Sequence, residues 1–296
     1  MNATLQELIA TGEPILTDGG MGTMLLSLGL PRGVAPELWN VERPEEIRRI
    51  HREYIEAGAQ IILTNSLGGN RQRLSFHGLA DRVVELDIAA AGLARAETEA
   101  AEVPVVVAGS MGPTGAIMAP LGDLTFEQAK LAFVEQAGSL VDGGVDVLWI
   151  ETMSDLEEVR AAVEGCRQVA PDIPIVATMT FDTHGHTVMG VSPQTAAEAL
   201  SGLNLMALGG NCGNGPDEIE AAIGKMHSVV PDVVLVAKSN AGAPRIEGDH
   251  QVYDATPEIM AEHALRVHQL GARIVGACCG STPEHIRAMG RALQRE

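Results

Sequence analysis

Eight short apolar runs rich in β-branched residues recur along the chain, and each gives way to a polar residue or glycine. They are "PILT" (14–17), "QIILT" (60–64), "VPVVVAG" (103–109), "VDVLWI" (145–150), "IPIVATMT" (173–180), "LMALGG" (205–210), "DVVLVAKS" (232–239) and "ARIVGA" (272–277). Runs of this length without polar alternation are strands buried on both faces, as parallel sheets require. Between them lie stretches of helical periodicity, including "PEEIRRIHREYIEAG" (44–58), "TFEQAKLAFVEQAGSLVDGG" (125–144) and "PEIMAEHALRVHQLG" (257–271). Ser192-Pro193, Thr256-Pro257 and Thr282-Pro283 place a hydroxyl at the N-cap and proline at the first helical position. Thr125 with Gln128 and Ser154 with Glu157 fit capping boxes, and Gly58, Gly144 and Gly271 read as helix stops. Strand and helix alternate with no Pro/Ser-rich linker and no short repeat. The pattern predicts an α/β chain forming a single (β/α)8 TIM barrel, one domain over residues 1–296.

In such a barrel the chemistry sits at the carboxyl ends of the strands. The residues that follow the eight runs are Asp18-Gly19-Gly20, Asn65-Ser66, Ser110-Met111-Gly112, Glu151-Thr152, Phe181-Asp182, Asn211-Cys212, Asn240 and Cys278-Cys279. Three of the chain's four cysteines therefore fall at one face. Four cysteines in 296 residues make a poor disulfide framework, which leaves metal binding or catalysis as the use for clustered thiols. Three thiolates suit Zn²⁺, which is tetrahedral and keeps a position open when catalytic. Consecutive strand residues point to opposite faces, so Cys278 and Cys279 share a metal only if the strand breaks, and Gly276 and Gly280 permit that. The competing reading is that the three are small buried apolar residues. Cys166, inside the helical "LEEVRAAVEGCRQV", reads as packing, and His184 and His186 in "FDTHGHTVMG" read as a solvated loop.

A formal net charge of −19 disfavours nucleic acid and anionic membrane surfaces as partners. No apolar run approaches a membrane span, and "MNATLQELIATGEP" has no basic start followed by an apolar core, so the chain is expected to be cytosolic.

The motifs "LTDGGMGT", "PEEIRRIHREYIEAGAQIILTNS", "GSMGPTG", "WIETMSDLEEVRAA", "GGNCG" and "GACCGSTPEHIRAM" together resemble the zinc-dependent homocysteine S-methyltransferases. That family includes betaine and S-methylmethionine enzymes and the homocysteine-binding module of cobalamin-dependent methionine synthase. The resemblance implies zinc held by Cys212, Cys278 and Cys279, with these same thiolates forming the catalytic centre. It implies homocysteine's ammonium at Asp18 and Glu151, and its carboxylate on backbone N–H groups around Gly19 and Gly20. Asn65 and Asn211 are further candidate substrate contacts. Ala277 and Ser281 are small departures from the family's Gly-Gly-Cys-Cys-Gly-Thr pattern. From the residues alone, the competing reading of Asp18 is a cap on a helix beginning near Met21. The implied reaction moves a methyl group onto homocysteine's thiolate to give methionine. A non-catalytic zinc- or thiol-binding barrel, and a transferase for another small thiol, remain as alternatives.

For the donor, betaine enzymes are expected to carry aromatic residues in the loop after the second strand, where this chain has "NSLGGNRQRL" with Leu67 and Gly68. Gly68, Gly69 and the "SNAGAP" loop (239–244) suggest an open mouth, suited to a compact sulfonium or to methylcobalamin on a corrinoid protein supplied in trans. Trp39, Phe76 and Phe181 are the aromatic residues left to build a cation cage.

Overall fold

The computed structural model describes residues 4–247 and 250–294, so the outermost residues of the predicted 1–296 domain lie outside the described ones. The strands are β1 (Ile15–Leu16), β2 (Ile61–Leu63), β3 (Val106–Met111), β4 (Val147–Met153), β5 (Ile175–Met179), β6 (Ala207–Cys212), β7 (Leu235–Ser239), β8 (Arg245–Glu247), β9 (His250–Val252) and β10 (Ala272–Ala277). The helices are α1 (Leu5–Ala10), α2 (Met21–Ser27), α3 (Trp39–Glu42), α4 (Pro44–Glu56), α5 (Arg71–Ser75), α6 (Val83–Ala100), α7 (Phe126–Asp142), α8 (Leu156–Val169), α9 (Pro193–Ser201), α10 (Pro216–His227), α11 (Pro257–Gln269) and α12 (Pro283–Leu293).

Eight strands pair in parallel in the order β1-β10-β7-β6-β5-β4-β3-β2, and a parallel bridge between Thr17 and Ile61 closes the ring. The architecture is the (β/α)8 barrel the alternation predicts. Side chains along the strands divide between two cores. Ile15, Ile61, Leu63, Val106, Val147, Trp149, Val176, Val236 and Ile274 fill the barrel interior, and Leu5 of α1 packs with them. Their neighbours Leu16, Ile62, Val107, Leu148, Ile150, Ile175, Leu208, Leu235 and Val275 face the helices. The period of two is the strand pleat read directly from the sequence.

The predicted helix starts at Thr125, Ser192, Thr256 and Thr282 are N-caps in the structure, and the helix stops Gly58, Gly144 and Gly271 have φ of 106°, 94° and 106°. One cap is corrected. Asp155, not Ser154, caps α8, its carboxylate accepting the Glu157 N–H at 2.8 Å. The antiparallel pair β8–β9, inserted between β7 and α11, has no counterpart in the sequence reading. Among the described residues no helix is long and apolar enough to cross a membrane.

Candidate active site

A cavity of about 460 Å³ opens where the strands end, lined by residues of the loops that follow β1, β2, β3 and β10 and by the ends of β4, β6 and β7. Asp18, Gly19, Gly20, Asn65, Glu151, Cys212, Cys278 and Cys279 all border it. Among the predicted contacts Asn211 does not.

The thiols meet because two strands stop in unusual ways. Cys212, the last residue of β6, has a left-handed backbone (φ 60°), as does Thr152 near the end of β4 (φ 63°). Neither is glycine, so each conformation carries a steric cost and needs support. Asn211 supplies it. Its Oδ1 accepts from the Thr152 N–H at 2.8 Å and the Thr178 hydroxyl at 2.7 Å, while its Nδ2 donates to Thr152 Oγ1 at 2.7 Å and lies 3.4 Å from Cys212 Sγ. Asn211, predicted as a substrate contact, is fully buried behind Cys212 and clamps the two strained residues. Asn211→Ala should lower zinc affinity about 10- to 100-fold, the loss usual when a metal ligand's supporting partner is removed. Competition with a chromogenic chelator measures it, and an unchanged affinity would deny the clamp any role.

On the other side β10 ends at Ala277, so Cys278 and Cys279 leave the pleat as expected. The Cys278 N–H donates to Ser239 O at 2.7 Å and the Cys279 N–H to Asn240 Oδ1 at 3.0 Å. Gly280 follows at φ 81°, where a Cβ would run into the Tyr253 ring. The Ser281 hydroxyl ties this turn to the first strand's loop, accepting the Gly20 N–H at 3.0 Å and donating to Cys278 O at 2.7 Å.

The three sulfurs lie within 4.8 Å of one another, with Cys212 and Cys278 at 3.0 Å. Thiolates around a tetrahedral zinc at about 2.3 Å would stand roughly 3.8 Å apart, so the set fits that ion with shifts in sulfur separation of about 1 Å or less. The charges agree. Hydrogen bonding to Cys278 and Cys279, then burial, holds the Cys212 thiol far above its ordinary range, while hydrogen bonds from Cys212 and Cys278 draw Cys279 down to about 3. Alone, the cluster favours one thiolate among three thiols; a dication is what would let all three ionise. Cys166 is apart from this, fully buried against Met111 with its thiol pushed up to about 12 by burial, and His184 and His186 are exposed in the loop after β5.

The two carboxylates differ. Asp18 is not a helix cap: its Oδ2 accepts the Leu63 N–H at 2.7 Å and its Oδ1 pairs with Lys238 Nζ at 3.0 Å. Glu151 accepts a 2.6 Å bond from the Ser110 hydroxyl, and burial pushes its carboxyl up to about 7 against the pull of Lys238. Lys238 escaped the sequence reading, although a lone lysine near the end of the apolar "VVLVAKS" was its signal. Burial would lower its pKa, but Asp18 and Glu151 raise it more, so the ammonium stays charged. Asn65 reaches the cavity edge with its amide donating to Pro36 O and Asn40 Oδ1, both at 2.9 Å.

Residues 15–293 match the family model described as homocysteine S-methyltransferase. The chain belongs to that family. It is 34% identical over 294 residues to methionine synthase of Mycobacterium leprae and 34% identical over 292 residues to that of Mycobacterium tuberculosis. These alignments cover 94% and 93% of this chain but 24% of each relative, so the chain spans about a quarter of their length. Among solved structures, the metallated form of the Escherichia coli homocysteine methyltransferase MmuM superposes with a TM-score of 0.81 at 26% identity, covering 99% of both chains. The apo form of the same protein gives 0.76 at 26% identity, covering 97% of this chain and 99% of the other.

Proposed function

We propose that this family member is a zinc-dependent enzyme that methylates homocysteine to methionine, with the donor a small sulfonium or methylcobalamin on a corrinoid protein supplied in trans. One observation carries the reading: three cysteines able to hold zinc share a cavity with Glu151, a carboxylate whose one hydrogen-bond partner among the described residues is the Ser110 hydroxyl. Cys212, Cys278 and Cys279 would hold the metal. When bound, zinc supplies the positive charge that keeps a substrate thiol, otherwise mostly protonated at neutral pH, in its nucleophilic form.

The chain's own residues do the rest. Glu151 accepts the homocysteine ammonium in a charge-assisted hydrogen bond, and the Ser110 hydroxyl holds its other face. Ser110 is itself fixed, its N–H donating to Thr64 Oγ1 at 2.9 Å and its carbonyl accepting from the Ser66 hydroxyl at 2.8 Å. Asp18, already paired with Lys238, sets the charge at the floor rather than gripping the ammonium. Holding amine and thiol ends at once turns the attack on the donor methyl into a positioned, effectively unimolecular step. The bond formed is sulfur to methyl carbon; the bond broken is methyl carbon to donor, whose electron pair leaves with the donor. Both favoured donors reach an open mouth, and exposed Leu67, Ile117, Leu121 and Val188 on the loops after β2, β3 and β5 give that end the apolar surface a docking protein uses.

Betaine should be the poorer donor. A quaternary ammonium has no hydrogen-bond donor and relies on aromatic faces, about 0.5–2 kcal/mol each. Trp39 and Phe181 are buried in the core, Phe76 is exposed outside the cavity, and no Phe, Tyr or Trp borders the cavity among the described residues. Tyr253, hydrogen-bonded to Cys279, stands beside the thiols but does not border the cavity. The test is the zinc-loaded protein with homocysteine and, in turn, S-methylmethionine, S-adenosylmethionine, methylcobalamin and betaine, with methionine read by mass spectrometry. Methionine from none of them would refute the function. A betaine kcat/KM within about tenfold of the best donor would refute the donor assignment.

A further inference from the structure

Under the loop that follows β2 lies a carboxyl group with nothing to hold it. Asp87 on α6 is fully buried, and neither of its oxygens has a hydrogen-bond partner among the described residues. Gln136 on α7, the helix packed beside α6, is fully buried too. Its Oε1 lacks a donor, while its Nε2 donates to Ser66 O at 2.7 Å. Both side chains close on one point of the loop, since a methyl group at Gly69 would collide with Asp87 Oδ1 and press on Gln136 Nε2 at 2.9 Å. Among the described residues no cation pairs with Asp87. Arg71 is taken by Glu135 and Asp81, Arg82 by Glu85, and Arg48 and Arg52 by Glu97, while burial draws His51 on α4 down to about 4 and keeps it neutral. The charges that do reach Asp87 are the acids Glu37 and Glu135, which add to burial in pushing its carboxyl well above the ordinary range. A buried carboxylate with neither a cation nor a donor costs more than one that keeps its proton.

A protonated carboxyl has one O–H to give, and Gln136 Oε1 is the buried acceptor without a donor. We propose that Asp87, as a neutral acid, donates to Gln136 Oε1, and that the two form a strut positioning residues 66–69 as the outer wall of the cavity, where the methyl donor seats. That role rests on the function proposed above. Leu67 and Gly68 border the cavity. Glu37 Oε1 accepts the Gly68 N–H at 2.8 Å, and Leu67 O accepts the Gly112 N–H at 2.8 Å, so the wall continues into the loop after β3. The strut fixes the same wall from beneath, at Ser66 and Gly69. Ser110, which holds Glu151, is secured separately by the pairing of β3 with β4 opposite Trp149. The acceptor's end of the cavity is therefore less dependent on the strut than the donor's end.

Thermal melts of the zinc-loaded protein and of Asp87→Asn between pH 5 and 7 test the proton. An acid that is protonated in the fold but ionises near pH 4 in the unfolded chain loses stability as pH rises above that value, whereas an amide donates at every pH. Asp87→Asn should therefore melt increasingly above the wild type, the gap widening by about 2–4 °C per pH unit. A gap that does not widen overturns the neutral acid. A variant that melts lower throughout, with a wild type stabilised by potassium chloride over choline chloride, would replace the proton by a bound cation. Kinetics test the strut, with homocysteine saturating and S-methylmethionine and methylcobalamin as donors. Asp87→Leu and Gln136→Leu should raise the donor KM about tenfold and change homocysteine affinity by less than about threefold, and Asp87→Asn should keep the wild-type KM. A donor KM untouched in both leucine variants, or an equal loss of homocysteine affinity, overturns the positioning role. If the wild type makes no methionine, the proposed reaction fails, and amide exchange at residues 66–69 then decides the strut: faster in Asp87→Leu and unchanged in Asp87→Asn supports it, and equal rates in all three proteins refute it.

Discussion

Cys278→Ala is expected to lose its zinc and, with it, methyl transfer by about a thousandfold or more, while the barrel stays folded. The metal loss follows from the donor set. Two remaining thiolates give neither the charge nor the tetrahedral closure that three provide, and zinc's charge is what makes a substrate thiol reactive at neutral pH. Folding should survive because the thiols line a cavity, whereas the two apolar cores are built from other residues, Val236, Ile274 and Trp149 inside and Leu208, Leu235 and Val275 outside. Cys166→Ala should behave in the opposite way, keeping its zinc and losing about 1–2 kcal/mol of stability as a buried sulfur is removed from the contact with Met111. Metal analysis of purified variants beside thermal melts separates the two. Full zinc retention in Cys278→Ala, or zinc loss in folded Cys166→Ala, would overturn the ligand assignment.

That contrast between cysteines was legible before any coordinates, because it depends only on where strands end. A residue that follows an apolar run in a barrel pattern stands at the mouth, and one inside a helical period does not. The same reasoning placed Asp18, Asn65 and Glu151 at the cavity. What it could not resolve was how neighbouring polar groups divide their partners. Asp18 and Glu151 look equivalent as strand-end acids, yet a lysine from β7 takes one and a serine hydroxyl holds the other. Lys238 lies inside a run otherwise read as core, and only three-dimensional proximity to Asp18, 220 residues away in sequence, explains it. Asn211 reads in the sequence as a substrate contact, but the strained backbone of Thr152 that gives it a clamping task arises from an irregular strand end with no local sequence mark. Asp155 displaced Ser154 as the cap of α8 because β4 runs on through Met153 and shifts the helix start.

The division between the two acids carries a pH prediction. Glu151 ionises near 7 in the folded protein, against an ordinary value of 4.5. Between those values the folded state holds a proton that the unfolded chain has released, so this group's contribution to stability falls as pH rises from about 4.5 to 7 and then levels. Homocysteine binding runs the other way, because its ammonium requires the charged carboxylate. Glu151→Gln keeps the Ser110 contact but removes that charge, so at pH 8 the variant should bind homocysteine about 10- to 100-fold more weakly with its zinc intact. Below pH 7 the wild-type protein should lose affinity about tenfold per unit more steeply than Glu151→Gln, since release of the substrate's thiol proton is common to both and cancels in the comparison. Calorimetric titrations of both proteins from pH 5.5 to 8.5 measure the two slopes. Parallel slopes with equal affinities would mean that the ammonium is read elsewhere in the cavity, and Asp18, released from Lys238, would then be the carboxylate to examine.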